Sequence, residues 1–290
     1  MRTPSHAAAI KSIGVALLLA MAAAASPVRA ADSALILGVF PRYKATETIT
    51  MFKPLADYLS ERLGRPVSLT TSKDFDSFWQ GVSEQRYDIV HYNQYHYIRS
   101  AKTYQVIAHN KEFGKSTMAG ALYVRKDSGI TDLKQLRGRT VLFGGGEDAM
   151  ISYIVPMYMM LQAGLKKDEI KSEFAVTPIN SVIGVYNKLA EAAGSADNAL
   201  GQPVIRNAID TDQLTALAVS EQLLQLPWAV KRTTPTKLRE AIQAALVNLE
   251  GTEAGRNILK TALLTGIGKA QDRDYDPHRK MVRAVTGGSD

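Results

Sequence analysis

The chain has 290 residues, 46% hydrophobic and 22% charged, with 35 Lys and Arg against 28 Asp and Glu and no cysteine. The missing cysteine excludes a disulfide framework, a thiol nucleophile and a lipid anchor on cysteine. The formal charge of +7 is scattered, with no long Lys/Arg block, so nothing points to nucleic acid.

Met1–Ala31 reads as a cleavable secretory signal. Arg2 and Lys11 give a basic start, Ile13 to Ala25 is an apolar run, and "VRA" at Val28–Ala30 makes a small-residue cleavage site before Ala31. The apolar run is shorter than the roughly 20 residues of a membrane span. The mature chain is therefore expected to be soluble and exported, with the bacterial periplasm as the best fit. Its charge, without Arg2, Lys11 and Arg29, is +4. About 260 residues remain, enough for one large domain or two compact lobes.

"ALILGVF" (Ala34–Phe40) is a short buried-strand pattern. Phe52, Leu55, Leu59 and Leu63 then recur at helical spacing up to Gly64, with Pro54 tolerable in a first turn. "PVSLTT" predicts a second strand, Asp74–Arg86 a helix, and "YDIVHY" (Tyr87–Tyr92) a third strand, after which Asn93 can cap a helix. "YQVIAHN" and "GALYVRKDS" are further strands, and the alternation predicts an α/β fold with parallel strands. The middle of the chain repeats this grammar, with a strand into Gly144–Gly146, a helix over Met150–Leu161 and strands at "KSEFAVTP" and "LTALAVSEQ". After "LPWAVKRTTP" only helices are expected, over Thr236–Leu249 and Thr252–Leu263, with a "DYDPHRKMVRAV" tail. Two α/β units and a helical end predict two lobes joined by a two-segment hinge. Lobe 1 is expected at 32–124 and 222–290, lobe 2 at 125–221, with a ligand cleft facing the carboxyl ends of strands.

These residues resemble the periplasmic solute-binding proteins of the phosphate, phosphite and phosphonate ABC transporter family. The resemblance rests on "LGVFP", "FKPLADYLSERLGRPV", "YDIVHYNQY", "VRKDSGITDLKQLRGRTVLFGG", "SYIVPMYMMLQAG" and "LPWAVKR". It covers essentially the whole mature chain. It implies a type II periplasmic binding fold, capture of a small oxyanion, and delivery to an ABC permease; a histidine-kinase sensor is the alternative partner. It implies no cofactor and a monomer. The family's Ser/Thr-rich turn is replaced by "EDAMIS" (Glu147–Ser152), where Ser152 alone supplies a hydroxyl, and this predicts weak phosphonate affinity.

The candidate ligand-binding residues are Tyr43, His91, Tyr92, Asn93, Gly145, Gly146, Ser152, Tyr153, Asn180, Ser181 and Asp197. Gly144–Gly146 leads into a helix N-terminus whose free N–H groups and dipole favour an anion. A tight strand-to-helix turn is the plain alternative, and Asn93, Asn180 and Ser181 could equally be simple caps. His91 and His96, with methionines nearby, suggest a transition-metal site as a lesser possibility. No G-x-S-x-G or H-E-x-x-H is present, and no Gly-Lys-Ser/Thr follows Gly144–Gly146 to make a phosphate loop of it, so a binding protein is expected rather than an enzyme.

Overall fold

A computed structural model describes residues 33–288 of the chain. The expected leader, 1–31, lies outside the described residues. No described helix is long and apolar enough to cross a membrane.

The first sheet starts with three parallel strands, β1 (Leu35–Val39), β2 (Val67–Thr70) and β3 (Ile89–His91). β1 lies in the middle, and Leu37 pairs with Leu69 on one side and Ile89 on the other. Helix α1 (Ala45–Leu63) connects β1 to β2. It buries Thr48, Phe52, Leu55, Ala56 and Leu59, one stripe at helical spacing, and stops at Gly64 in the left-handed conformation. Because α1 begins well before Phe52, Pro54 lies in its interior rather than in a first turn. The missing N–H forfeits one intrahelical bond, and the buried stripe holds the helix in place regardless. Helix α2 (Phe75–Ser83) is capped by Asp74, whose carboxylate accepts the Ser77 N–H at 2.8 Å.

After α3 (Gln94–Ser100) comes β4 (Tyr104–Lys111). The chain returns to this sheet with β12 (Pro227–Lys231), which inserts between β3 and β4, and with β13 (Gly266–Lys269) at the edge. β4, β12 and β13 are mutually antiparallel where they pair, so the sheet is mixed and not purely parallel. β13 also corrects the expectation of helices only beyond Pro235. Its sequence, Gly-Ile-Gly-Lys, offers a single large apolar side chain, too little for periodicity to register.

The second sheet has the order β10-β6-β9-β7-β8, from β6 (Gly120–Arg125), β7 (Thr140–Gly144), β8 (Lys171–Ala175), β9 (Ala192–Ala196) and β10 (Leu214–Val219). β6 pairs with β9 and β10, so the chain has entered this sheet by Gly120, earlier than a boundary at 124/125 would have it. Between the sheets lies a two-stranded ribbon of β5 (Thr117–Met118) and β11 (Leu223–Leu224), made from the outgoing and returning segments. Helices α4 (Val155–Gln162), α5 (Pro178–Tyr186) and the short α6 (Pro203–Arg206) belong to this half.

Helices α7 (Thr236–Val247) and α8 (Glu253–Thr261) pack with α1 over one face of the first sheet. There Leu37, Leu55, Trp228, Leu246 and Leu259 share a core, each large apolar side chain contributing about 1.5–3 kcal/mol on burial. The last helix, α9 (Asp276–Thr286), crosses over: Met281, Val282 and Val285 join the core around Phe143 and Tyr153 of the second half.

The glycine run at the exit of β7 has a structural explanation residue by residue. A Cβ on Gly144 would overlap the backbone Cα and N of Pro178, where α5 begins. Gly145 has φ +87°, a conformation open to glycine and costly for other residues, and its N–H bonds to Ala175 O at 2.8 Å. A Cβ on Gly146 would meet only the movable Asp148 carboxylate. Gly144→Ala is therefore expected to destabilise by about 1–3 kcal/mol, and Gly146→Ala by less than about 0.5 kcal/mol. Urea unfolding curves check this; equal effects of the two substitutions would contradict it.

Candidate functional site

The carboxyl ends of β1 and β3 and the end of β4 meet at a cavity of about 440 Å³. Arg42 and Tyr43 come from the loop after β1, His91 from the end of β3, and Asn110 and Glu112 from the end of β4. Lys260 and the Leu263–Thr265 segment come from the end of α8, and Gln202 reaches in from the second lobe. Ligands of open α/β sheets bind outside the carboxyl ends of parallel strands, where this cavity lies.

One hydrogen-bonded chain makes the floor. The Trp228 indole N–H donates to Asn110 Oδ1 at 2.7 Å. Asn110 Nδ2 donates to Glu112 Oε1 at 3.1 Å and approaches His91 Nε2 at 3.4 Å. That leaves the His91 proton on Nδ1, which donates to Pro227 O at 3.1 Å. Arg42 Nη1 reaches Glu112 Oε1 at 3.1 Å; Glu112 is buried, whereas Arg42 is partly open to the cavity. The His91 ring stacks on Trp228, with centroids 4.3 Å apart, and meets Phe40 edge-on and Phe52 at a tilt. Arg42 and Lys260 against Glu112 leave the lining with one net positive charge.

Of the eleven residues expected from sequence, Tyr43 and His91 line this cavity. Tyr92 is fully buried, with its hydroxyl on Ser100 Oγ at 2.9 Å, so its ring fills the first-lobe core instead of walling a cleft. Asn93 caps α3 by accepting the His96 N–H at 2.8 Å, and its Nδ2 donates across to Asp148 O at 3.2 Å. Gly145 and Gly146 form the turn already described. The Ser152 hydroxyl donates to Gly144 O at 2.5 Å, and the Tyr153 ring is buried against Phe143 and Phe174. Asn180 lies in the first turn of α5, where Thr177 is the cap, and the buried Ser181 hydroxyl is shared between Pro178 O and Gly194 O. Asp197 accepts from Gln222 Nε2 at 3.1 Å. The Ser152 and Ser181 hydroxyls thus serve the second lobe's own backbone. Sequence reading missed Arg42, Asn110, Glu112, Gln202 and Lys260. A signal existed for two of them: Asn110 and Glu112 continue, at strand period, the face of buried Ala108.

A second polar contact ties the lobes together. His96, buried against Trp79 and Phe75, places Nε2 3.2 Å from Asp148 Oδ2. Burial works to raise the Asp148 carboxyl, but the hydrogen bond and charge of His96 outweigh it and hold the group below its usual value. Both His91 nitrogens are thus engaged by protein groups, and His96 Nε2 is engaged by Asp148, so the two histidines do not present a shared metal site. Among the described residues no cluster of three or more His, Cys, Asp or Glu could hold a metal ion.

Two α/β lobes, a mixed sheet in each, and a cavity with charged groups at the strand ends define a two-lobed type II binding protein. The profile of the family described as the periplasmic substrate-binding protein of the phosphonate ABC transporter matches residues 37–275. The chain belongs to that family, whose members bind a small molecule for a transporter and are not enzymes. Similar solved structures include a protein from Xanthomonas citri bound to ATP, with TM-score 0.76 and 16% identity over 88% of this chain and 98% of that one. A binding protein component of an ABC phosphonate transporter from Pseudomonas aeruginosa has TM-score 0.70 and 14% identity, covering 87% and 86% of the two chains. PhnD1 from Prochlorococcus marinus in complex with methylphosphonate has TM-score 0.71 and 16% identity, covering 87% and 98%.

Burial pushes His91 down to about 4 and His278 down to about 4, from an ordinary 6.5. Above pH 6.5 both are neutral whether the chain is folded or unfolded, so neither costs stability there. Between pH 6.5 and 4 the unfolded chain takes up protons that the folded chain refuses, and stability falls. Urea unfolding is expected to lose about 2–3 kcal/mol per histidine across that window. A profile that is flat from pH 7 to pH 4.5 would contradict the buried neutral assignment.

Proposed function

We propose that the chain captures a small oxyanion of the phosphate, phosphite or phosphonate type, or a related one, in the cavity at Arg42 and delivers it to an ABC permease. The observation that carries this reading is the guanidinium of Arg42, oriented by buried Glu112 and open to a cavity that also receives Lys260. An oriented guanidinium offers paired donors to a tetrahedral anion. This seat differs from the one suggested by the glycine turn. The missing Ser/Thr run at Glu147–Ser152 then carries no penalty, because the turn before the following helix holds a lobe contact through Asp148. The relative from Prochlorococcus marinus with methylphosphonate and that from Xanthomonas citri with ATP both carry phosphorus oxyanions, which supports the class of ligand.

In this reading the protein acts as a monomer in the periplasm after cleavage near Ala30/Ala31. We take the lobes as those expected from sequence, 32–124 with 222–290 and 125–221, except that β6 travels with the second lobe and α9 rests against it. The β5–β11 ribbon lies at the hinge. Closure brings Gln202 over the first-lobe cavity.

The mature protein should be stabilised by phosphate, phosphite or methylphosphonate in a thermal-shift panel, since a ligand bound only to the native state raises its stability. Arg42→Gln should raise the dissociation constant of the best anion at least about tenfold in calorimetry. Wild-type affinity in Arg42→Gln would place the anion elsewhere, and a panel without any shift would remove the oxyanion reading.

A further inference from the structure

Two turns at the mouth of the cavity break the usual residue rules in the same way. Glu112 and Lys115 exchange backbone hydrogen bonds of 3.0 and 2.9 Å, closing a two-residue hairpin loop of Phe113 and Gly114. Both loop residues have positive φ, 53° and 75°. Asn-Gly or Gly-Gly fills such a loop without strain, whereas phenylalanine at its first position is held in a sparsely populated conformation. Leu263, with φ 57°, stands just past the end of α8, where the N–H of Leu263 bonds to Lys260 O and that of Leu264 to Leu259 O. Glycine is the ordinary residue at this left-handed helix end. Among the described residues the other non-glycine positions with positive φ are Gln85 and Lys188, both polar.

Phe113 and Leu263 are 70% and 61% exposed, and neither belongs to a core cluster. Folding therefore gains little from them. Thr265 stitches the two turns together. Its hydroxyl accepts the Gly114 N–H and donates to Lys111 O, each at 3.0 Å, and its own N–H reaches Lys111 O at 2.8 Å. Phe113 and Leu263 both line the cavity, which Lys260 and Gln202 also line.

The cavity's size points the same way. A bare tetrahedral oxyanion displaces about the volume of a few waters, each ~30 Å³ in the liquid. The cavity holds about 440 Å³, within the roughly 300–1,000 Å³ typical of sites for whole organic ligands. Phe40 and Phe52 add aromatic wall inside it.

We propose that the ligand is an organic oxyanion bearing an apolar or aromatic substituent, its charged head at Arg42 and Lys260 and its substituent against an apolar lip made by Phe113 and Leu263. This rests on the oxyanion reading above and narrows it to a class of substrate.

Calorimetry of the mature chain with inorganic phosphate, methylphosphonate and phenylphosphonate tests the two levels separately. Phenylphosphonate should bind at least about tenfold more tightly than methylphosphonate, from added apolar burial and ring contact. In the double variant Phe113→Asn with Leu263→Asn, asparagine keeps the left-handed turns, so the unliganded melting temperature should not fall. The phenyl-to-methyl preference should collapse toward one. Equal affinity of the wild type for the two phosphonates, or a preference that survives in the double variant, overturns the lip. Failure of all three anions to bind contradicts the oxyanion reading itself and takes the lip with it.

Discussion

Burying polar groups at the end of a sheet is costly unless each finds a partner, and Asn110 meets that demand for the whole floor of the cavity. It accepts from Trp228, donates to Glu112 and faces His91. Through Glu112 it fixes Arg42, and through His91 it ties the end of β3 to Pro227 on the returning β12. Trp228 is at the same time a central member of the first-lobe core. The polar site and the apolar core are thus one packed unit. The insertion of β12 between β3 and β4 is what brings Trp228 within reach, so the discontinuous chain path is a condition for the site.

The glycine-rich turn shows how a motif can be real and its obvious chemistry misplaced. A strand end followed by a helix N-terminus is an anion site when the helix start is free. Here Asp148 lies in that turn, bonded to His96, and Asn93 holds the backbone beside it. A carboxylate at this place supplies from within the chain the negative charge that the helix end favours. It does so while joining the lobes, so the same few residues set how the lobes meet. The glycines themselves answer to Pro178 packing and to one positive φ.

Much of the fold was legible because its elements follow simple periods. α1 shows its buried stripe as Phe52, Leu55 and Leu59, and β1, β3 and β7 are short apolar runs with turn signals around them. What was not legible depended on partners distant in sequence. The antiparallel insertion of β12 is set by pairing with strands more than a hundred residues away, and β13 is too short and glycine-rich to announce itself. At the site, Tyr43 could be placed from the loop after β1 and His91 from the end of β3. Tyr92 could not be distinguished from a cleft residue, because both faces of β3 are buried and its ring follows Val90 into the second of the two cores, toward Ser100. Lys260 and Gln202 come from helix ends on different lobes, and only the folded chain brings them to one cavity.

The central claim is that the anion sits at Arg42 in the first lobe and not at the Glu147–Ser152 helix start. A crystal structure of the mature protein grown with arsenate, with arsenic located by its anomalous scattering, tests this directly. The account predicts a single strong arsenic peak beside the Arg42 guanidinium, within the cavity floored by His91 and Asn110. A peak at the N–H groups following Gly145 and Gly146, with Asp148 released from His96, would contradict it.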